Sequence, residues 1–148
     1  MTAKQRNVEV ILQVFRAVET RDDRAFNQLC HADVEFHWPK SLPYGGVVRG
    51  VTRSGPGWGD TWIPLQPSDN DKNLEPRIIA ASDEEVVVHW KQKGVSATGE
   101  RFEDQVLGLY RLRDGKLARA QMFYFDTAAV ANFLARNQAA VPPAQRLA

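Results

Sequence analysis

The sequence predicts an α+β fold in which helices cover one side of a curved antiparallel sheet. Three observations carry that reading. Apolar residues recur at helical spacing near both ends of the chain. The stretch from residue 85 to 125 is strand-like and punctuated by hairpin signals. Pro and Gly crowd into the segment between these regions, which reads as loop with one weak helix.

Taken in order, "VEVILQVFRAVE" places Val8, Ile11, Leu12, Phe15 and Val18 on one helical face. "TRDDRAFNQLCH" reads as a short second helix, capped by Asp22 or Asp23, with Phe26, Leu29 and Cys30 as its apolar side. "DVEFHWP", Asp33 to Pro39, alternates strictly, so Val34, Phe36 and Trp38 share one strand face and Glu35 and His37 the other. In "SGPGWGDTW", Ser54 is a candidate cap and Pro56 fits a first turn. Gly57 and Gly59 each cost that helix about 1 kcal/mol relative to Ala. Trp58 and Trp62 still share a face at i, i+4. "PRIIAAS" is a short strand. "EEVVVHWKQKG" and "ERFEDQVLGLYRLR" flank "VSAT" as a hairpin, and the Asp-Gly of "RDGK" turns the chain into "KLARAQMFYF". Asp126 caps a last helix, "DTAAVANFLARN", whose apolar side is Val130, Phe133 and Leu134. The prolines of "AAVPPAQRLA" end it, so residues 140–148 read as a flexible tail. No repeat or linker divides the chain, and residues 1–148 read as a single domain.

Nineteen Lys and Arg against eighteen Asp and Glu leave a net charge of +1, which gives no electrostatic case for nucleic acid or an anionic membrane. One cysteine, Cys30, excludes an intrachain disulfide and a thiolate zinc cluster. The three histidines, His31, His37 and His89, lack metal-ligand spacing, so no metal is expected. The N-terminus has no apolar signal core and no segment is long enough to span a bilayer, so the expectation is a soluble, cytoplasmic protein.

The element order, with "DVEFHWP", "GGVVRG", "TGERFEDQVLGLYRLRDGKLARAQMFYFD" and "TAAVANFL", resembles the nuclear-transport-factor-2-like superfamily, and within it the SnoaL-like group. Its relatives include polyketide cyclases, ketosteroid isomerase and limonene epoxide hydrolase. The resemblance implies a cone-shaped barrel of curved antiparallel sheet around helices, an internal pocket, and a homodimer through the outer sheet face. It also implies, through the position of Pro39, that Glu35 and His37 look into the pocket. The hydrolase's catalytic triad is absent, since its positions fall on His89, Lys91 and Phe123. The isomerase's oxyanion-hole acid falls on Gly108. The face Asp104–Val106–Gly108–Tyr110 is expected to line the pocket.

On that footing the candidate catalytic residues are His37, Glu35 and Asp104. An imidazole moves protons at neutral pH, and a neighbouring carboxylate orients it or holds its charge. With "VSAT" as the hairpin tip, Lys91 stands opposite Asp104 and His89 opposite Val106. That pair is either an ordinary cross-strand salt bridge or an inward-facing holder of a water or substrate hydroxyl. Candidate substrate-binding residues are His89, Lys91, Tyr44, Trp58, Trp62, Val106, Phe123 and Phe125. Asp126 is explained by its cap. The expected function is cofactor-independent proton transfer on a mostly apolar, carbonyl- or hydroxyl-bearing small molecule, of isomerase, cyclase or dehydratase type. The alternatives are a non-catalytic binder of a small apolar ligand and a dimeric interaction module.

Overall fold

The computed structural model describes residues 1–50 and 57–138. Helix α1 (Ala3–Glu19) starts in a capping box between Thr2 and Gln5 and buries Ile11, Val14 and Phe15. Leu12, expected on that face, is exposed. Helix α2 (Asp23–Leu29) is capped by Asp22, which accepts from the Ala25 N–H at 3.0 Å. Strand β1 (Cys30–Trp38) follows, then β2 (Gly46–Arg49), a short strand that the Pro- and Gly-rich context conceals. Helix α3 (Trp58–Trp62) is capped by Asp60, which accepts from the Gly57 N–H. The candidate cap Ser54 and the expected tail 140–148 lie outside the described residues. A 3-10 turn (Ile63–Leu65) and the one-turn α4 (Asp69–Lys72) lead into β3 (Arg77–Ala81), β4 (Glu85–Val95), β5 (Arg101–Arg113) and β6 (Lys116–Tyr124). Asp114 and Gly115 both take positive φ, 53° and 75°, as a two-residue Asp-Gly hairpin turn requires. Helix α5 (Thr127–Gln138) closes the order, with Asp126 accepting from the Ala129 N–H.

The strands form one open sheet in the order β2-β1-β6-β5-β4-β3. Every junction is antiparallel except one: β1 runs parallel to β6, so the sheet is mixed. The β4–β5 hairpin also differs from expectation by one residue. Its loop has five residues, closed by Ser96 N–H donating to the Glu100 carbonyl at 2.8 Å, with Gly99 at φ 89°. An odd-membered loop shifts the pairing, so Lys91 faces Gln105 rather than Asp104, and His89 faces Leu107 rather than Val106.

The inner face is built by Val86, Val88, Trp90 and Gln92 of β4, Val106 and Tyr110 of β5, Leu117, Ala120, Met122 and Tyr124 of β6, and Val34 of β1, all buried. The buried side of α1 and the Val130–Phe133–Leu134 side of α5 complete the core. Each fully buried aliphatic contributes about 1.5–3 kcal/mol. No helix among the described residues is long and apolar enough to cross a membrane.

Candidate functional site

Between α1, α2 and the inner sheet face lies an apolar cavity of about 140 Å³. Its walls carry seven aromatic rings: Phe15, Phe26, Phe36, Trp38, Trp58, Trp90 and Tyr110. Val14, Val18, Val48, Leu74, Leu117 and Met122 fill the gaps, and the backbone at Gly50 completes the lining. Among the described residues no carboxylate, histidine, lysine or arginine borders it. The aromatics hold each other edge to face: Phe15 against Tyr110 at 5.7 Å, Phe15 against Trp90 at 6.2 Å, Trp58 against Trp90 at 6.4 Å.

The placement of Tyr110 depends on a glycine. A Cβ on Gly108 would lie 2.4 Å from the Tyr110 ring and hydroxyl, so the phenol folds back across the bare backbone two residues earlier. Its hydroxyl donates to the Met122 sulfur at 3.5 Å, a weak acceptor. Burial pushes the Tyr110 hydroxyl far above its ordinary pKa, opposed by the nearby Trp90 N–H, so it stays protonated. That indole N–H is close enough to favour the phenolate but makes no aligned hydrogen bond of its own.

Behind the cavity runs a buried hydrogen-bond chain. Trp62 Nε1 donates to the Tyr44 hydroxyl at 3.0 Å, and the Tyr44 and Tyr124 hydroxyls are 2.7 Å apart. Tyr124 donates to Gln92 Oε1 at 3.2 Å, and Trp58 Nε1 donates to the same oxygen at 2.7 Å. An indole nitrogen only donates, which fixes the direction of every bond and identifies the acceptor atom of Gln92 as its oxygen. Tyr44 is therefore the donor to Tyr124. Burial lifts the Tyr44 hydroxyl to about 12 and Tyr124 well above its ordinary value, so both remain neutral links. The Gln92 amide nitrogen ends the chain without a partner among the described residues.

The expected catalytic group is arranged otherwise. Glu35 and His37 do bond, His37 Nε2 to Glu35 Oε1 at 2.8 Å, but on the outer face of β1. Phe36 and Trp38 line the cavity instead. The reversal has a simple cause: the apolar half of an alternating strand goes to the face that the helices cover. Arg49 makes a second contact to Glu35 at 3.3 Å. The His37 hydrogen bond, with smaller help from Arg49 and Arg119, holds the Glu35 carboxyl below its ordinary value against some desolvation. Asp104 accepts from the backbone N–H groups of Gln105 and Asp126 at the strand's end, away from the cavity lining.

Of the expected binding residues, Trp58 lines the cavity. Tyr44 and Trp62 stand behind it in the hydrogen-bond chain, and Trp62 stacks on Phe133 at 6.0 Å. Val106 is buried on the inner face without reaching the cavity. His89 bonds Gln105 at 2.9 Å, and Lys91 pairs with Glu75 and Glu103, all on the other face. Phe123 and Phe125 are 52% and 81% exposed. Sequence reasoning passed over Trp90, Gln92 and Tyr124. The alternation of "VVVHWKQ" held the signal, because it sets Val86, Val88, Trp90 and Gln92 in one row. Among the described residues no group of three His, Cys, Asp or Glu side chains is gathered as metal ligands.

Comparison with known proteins gives a family and a fold. Residues 11–120 match a family model described as a SnoaL-like domain. The crystal structure of TerC co-crystallised with polyporic acid superposes with a TM-score of 0.70 at 23% identity, covering 88% of this chain and 98% of that one. Bal32a, from a soil-derived mobile gene cassette, gives 0.71 at 14% identity over 90% and 99%. A protein from Jannaschia sp. CCS1, by name only a SnoaL-like polyketide cyclase, gives 0.65 at 16% identity over 96% and 97%. No curated protein matches the chain. At these identities the likeness is one of fold.

Proposed function

The chain belongs to the SnoaL-like domain family, and from that premise we propose that it captures a small, neutral, mostly apolar molecule in the cavity beneath α1. One observation carries this reading: an aromatic-walled cavity of about 140 Å³ in which, among the described residues, the lining contains no ionisable group except the Tyr110 hydroxyl. An apolar cavity of about 150 Å³ stays dry and holds a benzene-sized ring, so one substituted ring is the scale of the ligand. A charged ligand would be desolvated there without a counter-charge from the described lining. The preference for binding over proton transfer comes from the same lining. A general base must stand within about 3 Å of the proton it takes, and Glu35, His37 and Asp104 do not border the cavity. The cofactor-independent cyclase or isomerase reading is supported by the names that some structural neighbours carry. In this chain it would have to work by shape and by hydrogen bonds to the substrate rather than by a carboxylate–imidazole pair.

The test is titration of the ¹⁵N-labelled protein with ethylbenzene, observing the indole N–H resonances. Those of Trp38, Trp58 and Trp90 shift saturably and that of Trp62 moves less. Val18→Trp, which fills the cavity with bulk, abolishes the effect. Absence of any saturable shift with ethylbenzene or with acetophenone would overturn the proposal.

A further inference from the structure

Four buried side-chain atoms have no hydrogen-bond partner among the described residues: Arg21 Nε, Trp38 Nε1, Trp90 Nε1 and Gln92 Nε2. All four are N–H donors. Two of them, on Trp38 and Trp90, belong to residues that line the cavity. A buried donor left unpaired is costly, and native proteins keep few of them. Tyr110 adds a third underused donor, since its hydroxyl has only the Met122 thioether to bond. Among the described residues the cavity lining thus offers three donor hydrogens against few side-chain acceptors, the Met122 sulfur and the Tyr110 oxygen.

Two of these donors lie together. Gly108 lets the Tyr110 ring fold back along β5, laying its hydroxyl over the Gly108 backbone. Gly108 pairs with Val88 and its neighbour on the same face, Val106, pairs with Trp90. The fold-back therefore carries the hydroxyl along the inner face toward the Trp90 row, and Phe15 packs edge to face against both rings, at 5.7 Å from Tyr110 and 6.2 Å from Trp90.

We infer that Tyr110 O–H and Trp90 Nε1–H form a two-donor clasp for one acceptor oxygen, which makes aromatic carbonyl compounds the preferred ligands of the cavity. The inference rests on the proposed pocket and adds its chemistry. The ligand's carbonyl oxygen has lone pairs for both donors. Tyr110 exchanges a weak bond to sulfur for a strong one to oxygen, and Trp90 gains the partner it lacks. A ligand whose only polar group is a donor finds a poorer match, because among the described lining side chains only the Met122 sulfur and the Tyr110 oxygen can accept.

Acetophenone and ethylbenzene are nearly the same shape and differ in the acceptor, so they separate the clasp from the pocket. Their dissociation constants are measured against wild type, Tyr110→Phe and Trp90→Phe. Comparing the ratio of the two affinities across variants cancels the different cost of removing each ligand from water. In Tyr110→Phe the acetophenone-to-ethylbenzene preference is expected to fall about tenfold, the effect of one buried hydrogen bond with its acceptor left unpaired. Ethylbenzene serves as the internal reference, so any packing effect of losing the hydroxyl divides out of the ratio. Two readouts follow the bond itself. The infrared carbonyl stretch of bound acetophenone should move to lower frequency than in hexane, and move back in Tyr110→Phe. The Trp90 indole proton should shift downfield with acetophenone and not with ethylbenzene, which needs no variant. If ethylbenzene binds but the preference, the carbonyl stretch and the Trp90 proton are indifferent to Tyr110, the clasp is wrong and the pocket stands. A response at Tyr110 with none at Trp90 overturns the two-donor form. If neither compound binds, the pocket and the clasp fall together.

Discussion

Replacing Gln92 by leucine tests the buried hydrogen-bond chain where it is most constrained. Gln92 is fully buried, and among the described residues its oxygen is the only acceptor for both the Trp58 N–H and the Tyr124 hydroxyl. Leucine is close to glutamine in volume, so the substitution leaves packing nearly intact and removes the acceptor. Each stranded donor costs about 1–3 kcal/mol, or roughly 2–6 kcal/mol for the two. Part is recovered because the unpartnered Gln92 amide nitrogen also disappears, a group whose burial costs about 1–3 kcal/mol. A net loss of about 2–3 kcal/mol is expected, which for a domain of this size is roughly 4–12 °C in Tm.

Urea denaturation followed by tryptophan fluorescence measures it, with the m-value unchanged if the native state keeps its compactness. Tyr124→Phe cuts the same chain at its middle and strands the Tyr44 hydroxyl, at about 1–2 kcal/mol. The double variant should cost less than the sum, because Gln92→Leu has already removed the acceptor that Tyr124 uses. A Gln92→Leu protein as stable as wild type, or strict additivity with Tyr124→Phe, would refute the chain as drawn.

Gly108→Ala should lower stability by about 1–3 kcal/mol and displace the Tyr110 ring, because the new methyl overlaps it; a neutral result in thermal denaturation would mean the fold-back is wrong. Glu35 is held below its ordinary value of 4.5, so its contribution is present above that value and is lost as pH falls through the lower folded value. Glu35→Gln should accordingly shallow the acid limb of a stability-against-pH curve below about pH 4.5, leaving ethylbenzene binding unchanged, and loss of binding would return this pair to the site. The outer sheet face, with Leu107 41% and Phe123 52% exposed on paired positions, is our proposed homodimer surface. Sedimentation equilibrium should show a dimer that Phe123→Asp dissociates, and a wild-type monomer at micromolar concentration would remove the proposal.

The order of elements was legible because each rests on a local rule: helical spacing in α1 and α5, Asp caps at Asp22 and Asp126, and an Asp-Gly turn after Arg113. What escaped depends on contacts distant in sequence. Nothing local announces that β1 joins β6 in parallel, or that β2 adds an edge to β1. The hairpin loop has five residues rather than four because Ser96 closes on Glu100, a choice of one hydrogen bond that moves every cross-strand partner of β4 by one. The candidate pair of Lys91 and Asp104 was lost to that single step.

The dipeptide His-Trp occurs twice, at His37-Trp38 in β1 and His89-Trp90 in β4, and both copies are used the same way. Adjacent strand residues face opposite sides, so only one of each pair can reach the cavity. In both, the indole goes in and the imidazole goes out, where it bonds a neighbour two residues away or across the strand: Glu35 for His37, Gln105 for His89. A polar imidazole is better solvated outside, while an indole buries a large apolar body and keeps a donor at its edge. The sequence therefore places these two of its three histidines on the outer face and supplies the cavity with two indole donors that have no acceptor among the described residues. That division is the physical reason a proton-transfer reading centred on His37 and a ligand-capture reading centred on Trp90 and Tyr110 exclude each other for this cavity. The alternation that places one set of groups inside places the other beyond reach.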